Sequence, residues 1–223
     1  MPSSVSPAAP WDPPRVASLL EAGALCVLIL SYIWGWQGTF PGDAGVVLGL
    51  YFGLGLYSHA RRGESLRQIG LRLDNFPAAL RNASVVVAPA IVLALVIGAV
   101  LGSWHFRSFG ETMHNLPAAT AWGTAQQYGL LCVLYRRCAE LFQSHRAATA
   151  AASAAFAIFH MPNAFLMGVT LLAGWAACVL YRREPNVWVL GIAHAAVSLS
   201  LYYALPFDVT HGLRVGPGYL AMQ

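Results

Sequence analysis

The chain has 223 residues, of which 57% are hydrophobic and only 10% are charged. Soluble domains average about 25% charged residues, so this composition excludes an ordinary soluble domain and indicates a polytopic membrane protein. The basic residues are all arginine and lie beside apolar segments, so the net charge of +4 forms no basic face and nucleic acid is not an expected partner.

The chain begins with a proline- and serine-rich stretch, residues 1–16, which we expect to be disordered. A crossing helix needs about 20 apolar residues, and the apolar runs over 17–205 predict an all-α membrane helix bundle of about seven spans, with six to eight open. The glycine-rich tail, 206–223, is predicted to lie outside the membrane. The expected spans are 17–36, 44–59, 84–103, 119–137, 147–161, 164–181 and 187–205.

An amphipathic segment separates the second and third spans, at about 62–82. Its apolar side chains recur near helical spacing among arginines, which predicts one helix lying in the membrane interface. The apolar positions are Leu66, Ile69, Leu73, Phe76 and Leu80.

The arginines also predict the orientation. If the interfacial segment lies inside, most remaining arginines lie inside too, as the positive-inside rule expects. The amino terminus is then cytoplasmic and the carboxyl terminus extracytoplasmic, in what we expect to be a bacterial inner membrane. Those inside are Arg15, Arg136, Arg137, Arg146, Arg182 and Arg183, while Arg107 and Arg214 are outside.

Polar side chains within the apolar spans are the candidates for a site. Gln126 and Gln127 lie inside the fourth span, and away from water their carboxamides need partners. They either join helices by hydrogen bonds or line a site.

Two histidines, His160 and His194, lie within apolar stretches, where ionisable side chains usually face a bundle interior. Phe156 lies one turn before the first and Ser198 one turn after the second, on the same helix faces. Asn163 either caps the turn that follows or enters the site.

The predicted topology brings these positions together. Gln126 and Gln127 enter from the outer face, His160 reaches that face as its helix ends, and His194 lies near mid-depth on a helix travelling outward. The order and charge pattern therefore predict a single cavity in the outer half of the bundle.

These segments resemble the CAAX prenyl protease and bacteriocin-processing (CPBP, or Abi) family of intramembrane endopeptidases, whose motifs are E-E-x-x-x-R, F-x-x-x-H and H-x-x-x-N. F-A-I-F-H at 156–160 matches the second motif, and His194 with Ser198 matches the third apart from the replaced asparagine. With the lead-in L-R-Q-I-G-L-R-L, the similarity covers residues 64–205. The resemblance implies a glutamate that activates water and histidines that orient it and stabilise the oxyanion.

The first motif departs from the family pattern. Gln126 and Gln127 stand where the glutamate pair is expected, and Leu131 stands where the arginine is expected. A carboxamide is not basic at physiological pH, so neither glutamine can accept the proton of the attacking water.

Three interpretations follow. The first retains proteolysis of a membrane-embedded or lipidated peptide, with His160 or His194 as the base, or with Glu111 and His114 if the outer loop 104–118 folds into the cavity. In the second, the chain is a scaffold or regulator that binds a membrane partner in the former active site. The third is an enzyme that modifies a lipid or isoprenoid.

We favour the first interpretation, a divergent intramembrane peptidase that works within the bilayer. The sequence assigns no cofactor and no metal ligands, and it leaves zinc or another divalent ion as an alternative. Zinc or another divalent ion would need a third ligand beside His160 and His194.

Overall fold

The computed structural model describes residues 13–105 and 109–222, with the side chains of residues 13, 109 and 111–113 outside the description. Within those ranges the chain is helical and contains no strand, which confirms the all-α prediction. Residues 1–16 were predicted to be disordered. Of these, residues 1–12 lie outside the described residues, and residues 13–16 belong to the first helix.

Among the described residues, eight helices form the bundle and two short helices follow in the tail. The first helix ends in a π-helical turn, Tyr32–Trp36, and a second π-helical stretch, Tyr128–Tyr135, joins α4 to α5 and is called the π segment below. The helices are α1 (Pro13–Ser31), α2 (Asp43–Ala60), α3 (Phe76–Leu101), α4 (Phe109–Gln127), α5 (Arg136–Phe142), α6 (His145–Ile158), α7 (Ala164–Arg183), α8 (Val187–Ala204), α9 (Phe207–Thr210) and α10 (Pro217–Leu220).

Four of the helical stretches among the described residues are long and apolar enough to cross a membrane: Pro14–Trp36, Phe76–Leu101, Ala164–Arg183 and Val187–Ala204. The chain is therefore an integral membrane protein. The count of seven spans stays a prediction, as do the orientation and the type of membrane.

The fourth helical stretch begins earlier than expected. The sequence predicts an outer loop over 104–118 and a span from 119, but α4 is already helical from Phe109. Pro117 lies inside α4, where a proline removes one backbone hydrogen bond without ending the helix.

The helix predicted over 62–82 is wrong for its first part, because residues 61–75 fold as turns. Gly63 and Gly70 have positive φ angles of 63° and 80°, which interrupt a right-handed helix. The carbonyl of Ile69 accepts hydrogen bonds from the Tyr181 hydroxyl and the Cys132 thiol, at 2.9 and 3.0 Å. These contacts with other helices replace the regular bonds of the predicted helix.

An ion-pair network, called the arginine cluster, joins α1, the end of α2, the turn segment (residues 61–75) and α5. The Glu64 carboxylate contacts both Arg136 and Arg137, and Arg137 also reaches Glu140 at 2.8 Å. Arg62 contacts Glu21 at 2.7 Å. The remaining members are Ser18, Ser58, His59 and Arg61.

Small residues bring α4 and α8 close together. An alanine side chain at Gly191 would overlap Thr124, and one at Gly123 would lie 2.7 Å from the Gly191 carbonyl oxygen and 3.2 Å from the His194 ring. This close approach places the middle of α8 directly against the last turns of α4, where the two glutamines lie.

Candidate functional site

The two glutamines end α4 and face a histidine on α8. The carboxamide nitrogen of Gln126 lies 3.3 Å from His194 Nε2, and that of Gln127 lies 3.2 Å from His194 Nδ1. Both ring nitrogens of His194 are therefore engaged by neighbouring carboxamides.

The hydrogen-bond chemistry of this trio requires one carboxamide to be turned over. A neutral imidazole has one N–H donor and one acceptor nitrogen, so it cannot accept from two amide nitrogens at once. The Gln127 side-chain oxygen is buried and has no hydrogen-bond partner among the described residues. Rotating this amide by half a turn lets its oxygen accept from His194 Nδ1–H, while Gln126 donates to Nε2.

His160 lies in the turn that follows α6. Its Nδ1 atom is 2.6 Å from the carbonyl oxygen of Phe156. A carbonyl oxygen only accepts hydrogen bonds, so Nδ1 carries the proton and, in the neutral ring, Nε2 carries the free lone pair. The backbone of α6 thus holds this imidazole in one tautomer.

The buried ring of Phe156 links the two histidines. Its centroid lies 4.9 Å from that of His160 and 6.2 Å from that of His194, in edge-to-face arrangements. This places α6 against the α4–α8 pair and brings both imidazoles to the same part of the bundle.

One cavity of about 1940 Å³ is bordered by all four polar residues of the site, Gln126, Gln127, His160 and His194. Its walls are mostly apolar side chains of α1, α2, α3, α7 and α8, and His114 and Ser198 also line it. Among the described residues that line the cavity, none is an aspartate or a glutamate. The arrangement is an apolar chamber with a small set of imidazole and carboxamide groups, as is common for small-ligand sites.

The other candidates have different positions. Asn163 is a helix cap: its side-chain oxygen accepts from the Leu166 N–H at 3.0 Å, and its nitrogen donates to the Thr210 and Arg214 carbonyls in the tail. His114 is exposed on α4 at the edge of the cavity. The Glu111 side chain lies outside the described residues.

Within the described ranges, no group of three or more His, Cys, Asp or Glu side chains lies close enough to share a metal ion.

One residue of the site has no signal in the sequence. Tyr51 on α2 is buried at the cavity wall, and its hydroxyl donates a 2.6 Å hydrogen bond to the carbonyl of Ala125, next to Gln126. A tyrosine in an apolar run is usually part of the core, and only a structure shows which backbone group its hydroxyl meets.

The fold and the cavity define the class: an integral membrane helix bundle whose cavity is bordered by histidine and carboxamide side chains. Residues 127–200 match the family model described as type II CAAX prenyl endopeptidase Rce1-like. The match covers one third of the chain and includes Gln127, His160 and His194, so this segment is similar to that family. Comparison with curated proteins and with solved structures gives no match.

Proposed function

We propose that this protein is a divergent CPBP-type intramembrane endopeptidase that hydrolyses a membrane-embedded or lipidated peptide, with His160 as the general base. The observation that carries the proposal is the 2.6 Å hydrogen bond from His160 Nδ1 to the Phe156 carbonyl, because it leaves Nε2 free to accept a proton. His194 is the weaker choice for a base, since carboxamides engage both of its nitrogens.

In the proposed reaction, His160 Nε2 takes a proton from a water molecule while the water oxygen bonds to the carbonyl carbon of the scissile peptide. The tetrahedral intermediate then breaks its C–N bond, and the proton held on His160 passes to the leaving nitrogen. Water is added across the peptide bond, and the chain returns to its starting protonation state.

In this scheme, the carboxamide nitrogens of Gln126 and Gln127 serve as hydrogen-bond donors. Each carboxamide nitrogen has two N–H groups, so Gln126 can hold His194 with one and point the other at the developing oxyanion. His194 orients both carboxamides and supplies no base.

The apolar walls support the substrate class. A cavity of about 1940 Å³ with few polar groups favours an acyl or isoprenoid chain, or the apolar side chains of a transmembrane peptide, over a soluble polar peptide. If the arginines face the cytoplasm as predicted, the site opens toward the outer surface, and an exported or membrane-anchored peptide is the expected partner.

Cleavage can be tested with the purified protein in lipid nanodiscs and a panel of lipidated and transmembrane peptides, with products identified by mass spectrometry. His160→Ala should abolish cleavage. His145→Ala is the matched control, because His145 is exposed at the other end of α6 and should be dispensable. Equal cleavage by wild type and His160→Ala would contradict the proposed base.

A second function is favoured by a separate observation, the lack of a carboxylate among the described residues that line the cavity. In that case the protein captures a membrane partner in the cavity without cutting it, or modifies a lipid with chemistry that needs no carboxylate. Capture of an intact peptide by both wild type and His160→Ala, with no product from either, is the expected result for the non-cleaving scaffold.

A further inference from the structure

Tyr51 meets the α4 backbone at the point where the helix changes its winding. Its hydroxyl donates to the Ala125 carbonyl at 2.6 Å and lies directly against the backbone of Gly129. In an α-helix, the carbonyl of residue 125 and the N–H of residue 129 would bond to each other. The tyrosine hydroxyl therefore lies within the hydrogen-bond ladder of the helix.

The helix changes from α-helical to π-helical winding at this position. It is α-helical up to Gln127 and π-helical from Tyr128 to Tyr135. A side chain inserted into the i to i−4 ladder is a recognised cause of such a change, and π-helical turns are frequent at functional sites.

Glycines make the insertion sterically feasible. An alanine at Gly129 would overlap the Tyr51 hydroxyl, and its Cβ would lie 2.7 Å from the ring carbon that carries the oxygen. The contact is reciprocal, since an alanine at Gly55 on α2 would overlap the Tyr128 hydroxyl and would lie 2.9 Å from its ring. Two tyrosine–glycine contacts thus interlock α2 with the start of the π segment.

The π segment separates two groups of residues that must both be oriented. On one side, Gln126 and Gln127 face His194; on the other, Arg136 and Arg137 are held by Glu64. A π-helical stretch holds more residues per turn than an α-helix, so its length sets the rotation between these two groups.

We propose that Tyr51 is a positioning residue: by holding the α-to-π change at Gln127, it aims the two carboxamides at His194. Its hydroxyl is engaged by the Ala125 carbonyl, so it acts through the α4 backbone. Its effect on catalysis rests on the proposed function, whereas its effect on His194 does not.

The test uses Tyr51→Phe, which removes only the hydroxyl. Tyr57→Phe is the matched control, because Tyr57 is on the same helix with an exposed ring. Histidine-labelled protein in nanodiscs is compared by ¹⁵N NMR, with His194 assigned from a His194→Gln spectrum. Tyr51→Phe should shift the His194 ring nitrogens, and Tyr57→Phe should leave them unchanged.

Gly129→Ala supplies an independent variant, since it displaces Tyr51 while keeping the hydroxyl. It should perturb the same His194 resonances and decides the matter if Tyr51→Phe does not fold. Wild-type His194 resonances in either folded variant would overturn the proposal.

Catalysis gives the second readout. In the peptide assay, Tyr51→Phe should lower kcat by roughly 10- to 100-fold and leave KM nearly unchanged, because misorientation affects the transition state more than binding. If wild type cleaves nothing, the proposed function fails, and the NMR comparison still tests the positioning role. A kcat equal to wild type would overturn the catalytic part.

Discussion

Arg137 and Glu64 lie 73 residues apart in the chain and form a 2.5 Å ion pair in the arginine cluster. The Arg137 side chain is completely buried, and Glu64 is almost so. Because a buried charge is tolerated only with partners, this pair ties α5 to the turn segment and holds the far end of the π segment.

Removing Arg137 should therefore destabilise the fold strongly. Arg137→Ala leaves Glu64 with fewer partners and Glu140 without its 2.8 Å contact, which should lower the free energy of unfolding by about 3 kcal/mol. Thermal unfolding in detergent measures the change. Arg67→Ala is the control, because its exposed pair with Asp74 should contribute at most about 1 kcal/mol. Equal losses for the two variants would argue against a buried network.

The titration of Glu64 should contribute to the pH dependence of the free energy of unfolding. Burial raises the pKa of this carboxyl, but hydrogen bonds with His59 and Arg136 and the positive charges of Arg136 and Arg137 outweigh it, so the pKa falls from 4.5 to about 2. The unfolded chain then binds the proton at higher pH than the native one.

This contribution to stability is complete above about pH 4.5 and is lost as the pH falls toward 2. Wild type should lose more unfolding temperature over that interval than Glu64→Gln, in which the other carboxyls still titrate. Parallel curves for the two proteins would contradict the lowered pKa.

Hydropathy was sufficient to predict the helical class, because long apolar runs in a membrane have few alternatives to helix. The segment around 62–82 was mispredicted because the same spacing of leucines suits a helix or a turn whose carbonyls bind distant side chains. The contacts of Gly70 favour the turn. Its carbonyl accepts a 2.9 Å hydrogen bond from the N–H of Val187, which lies more than a hundred residues away in the chain.

The residues of the candidate site could be predicted where a polar side chain lies within an apolar span. Histidines and glutamines in apolar spans stand out, and the structure brings Gln126, Gln127, His160 and His194 to one cavity, although their roles stay proposals. Tyr51 and the π segment could not be foreseen, because a change in helix winding leaves no periodic signal and depends on a hydroxyl from another helix.

The close contact between α4 and α8 predicts a steric effect at Gly191. An alanine there overlaps Thr124, so Gly191→Ala should destabilise the protein by about 1–3 kcal/mol and separate Gln126 from His194. Gly168→Ala on α7 is the control, since its new methyl group meets nothing within 4 Å and alanine favours helix by up to about 1 kcal/mol. An unfolding temperature unchanged by Gly191→Ala would count against the tight packing.

Asn163 should hold the tail as well as cap α7. Asn163→Asp keeps an acceptor for the Leu166 N–H but loses the donor to the Thr210 and Arg214 carbonyls. The tail should then be cut faster by a soluble protease. The loss of stability should exceed the about 1 kcal/mol typical of a removed cap, because Asn163 is buried and the new carboxylate would face two carbonyl oxygens. Asn186→Asp, at the start of α8, should leave tail cleavage at the wild-type rate.

Introducing carboxylates at the two glutamines tests the similarity of the site to that of the family. Gln126→Glu introduces a base beside His194 Nε2, and Gln127→Glu introduces one beside Nδ1. If the cavity retains the geometry of the family, at least one variant should cleave peptide faster than wild type, by roughly 100-fold or more for an added general base. Slower cleavage by both would indicate that the carboxamides have become part of the mechanism.

The most direct test of the central claim follows the oxygen atom of the attacking water. Peptide in nanodiscs is incubated with the protein in ¹⁸O-labelled water, and the new carboxyl terminus is analysed by mass spectrometry. We expect one labelled oxygen in the product of wild type and of His145→Ala, and no product from His160→Ala. Intact peptide recovered from the wild-type cavity, or a product without the label, would contradict hydrolysis at this site.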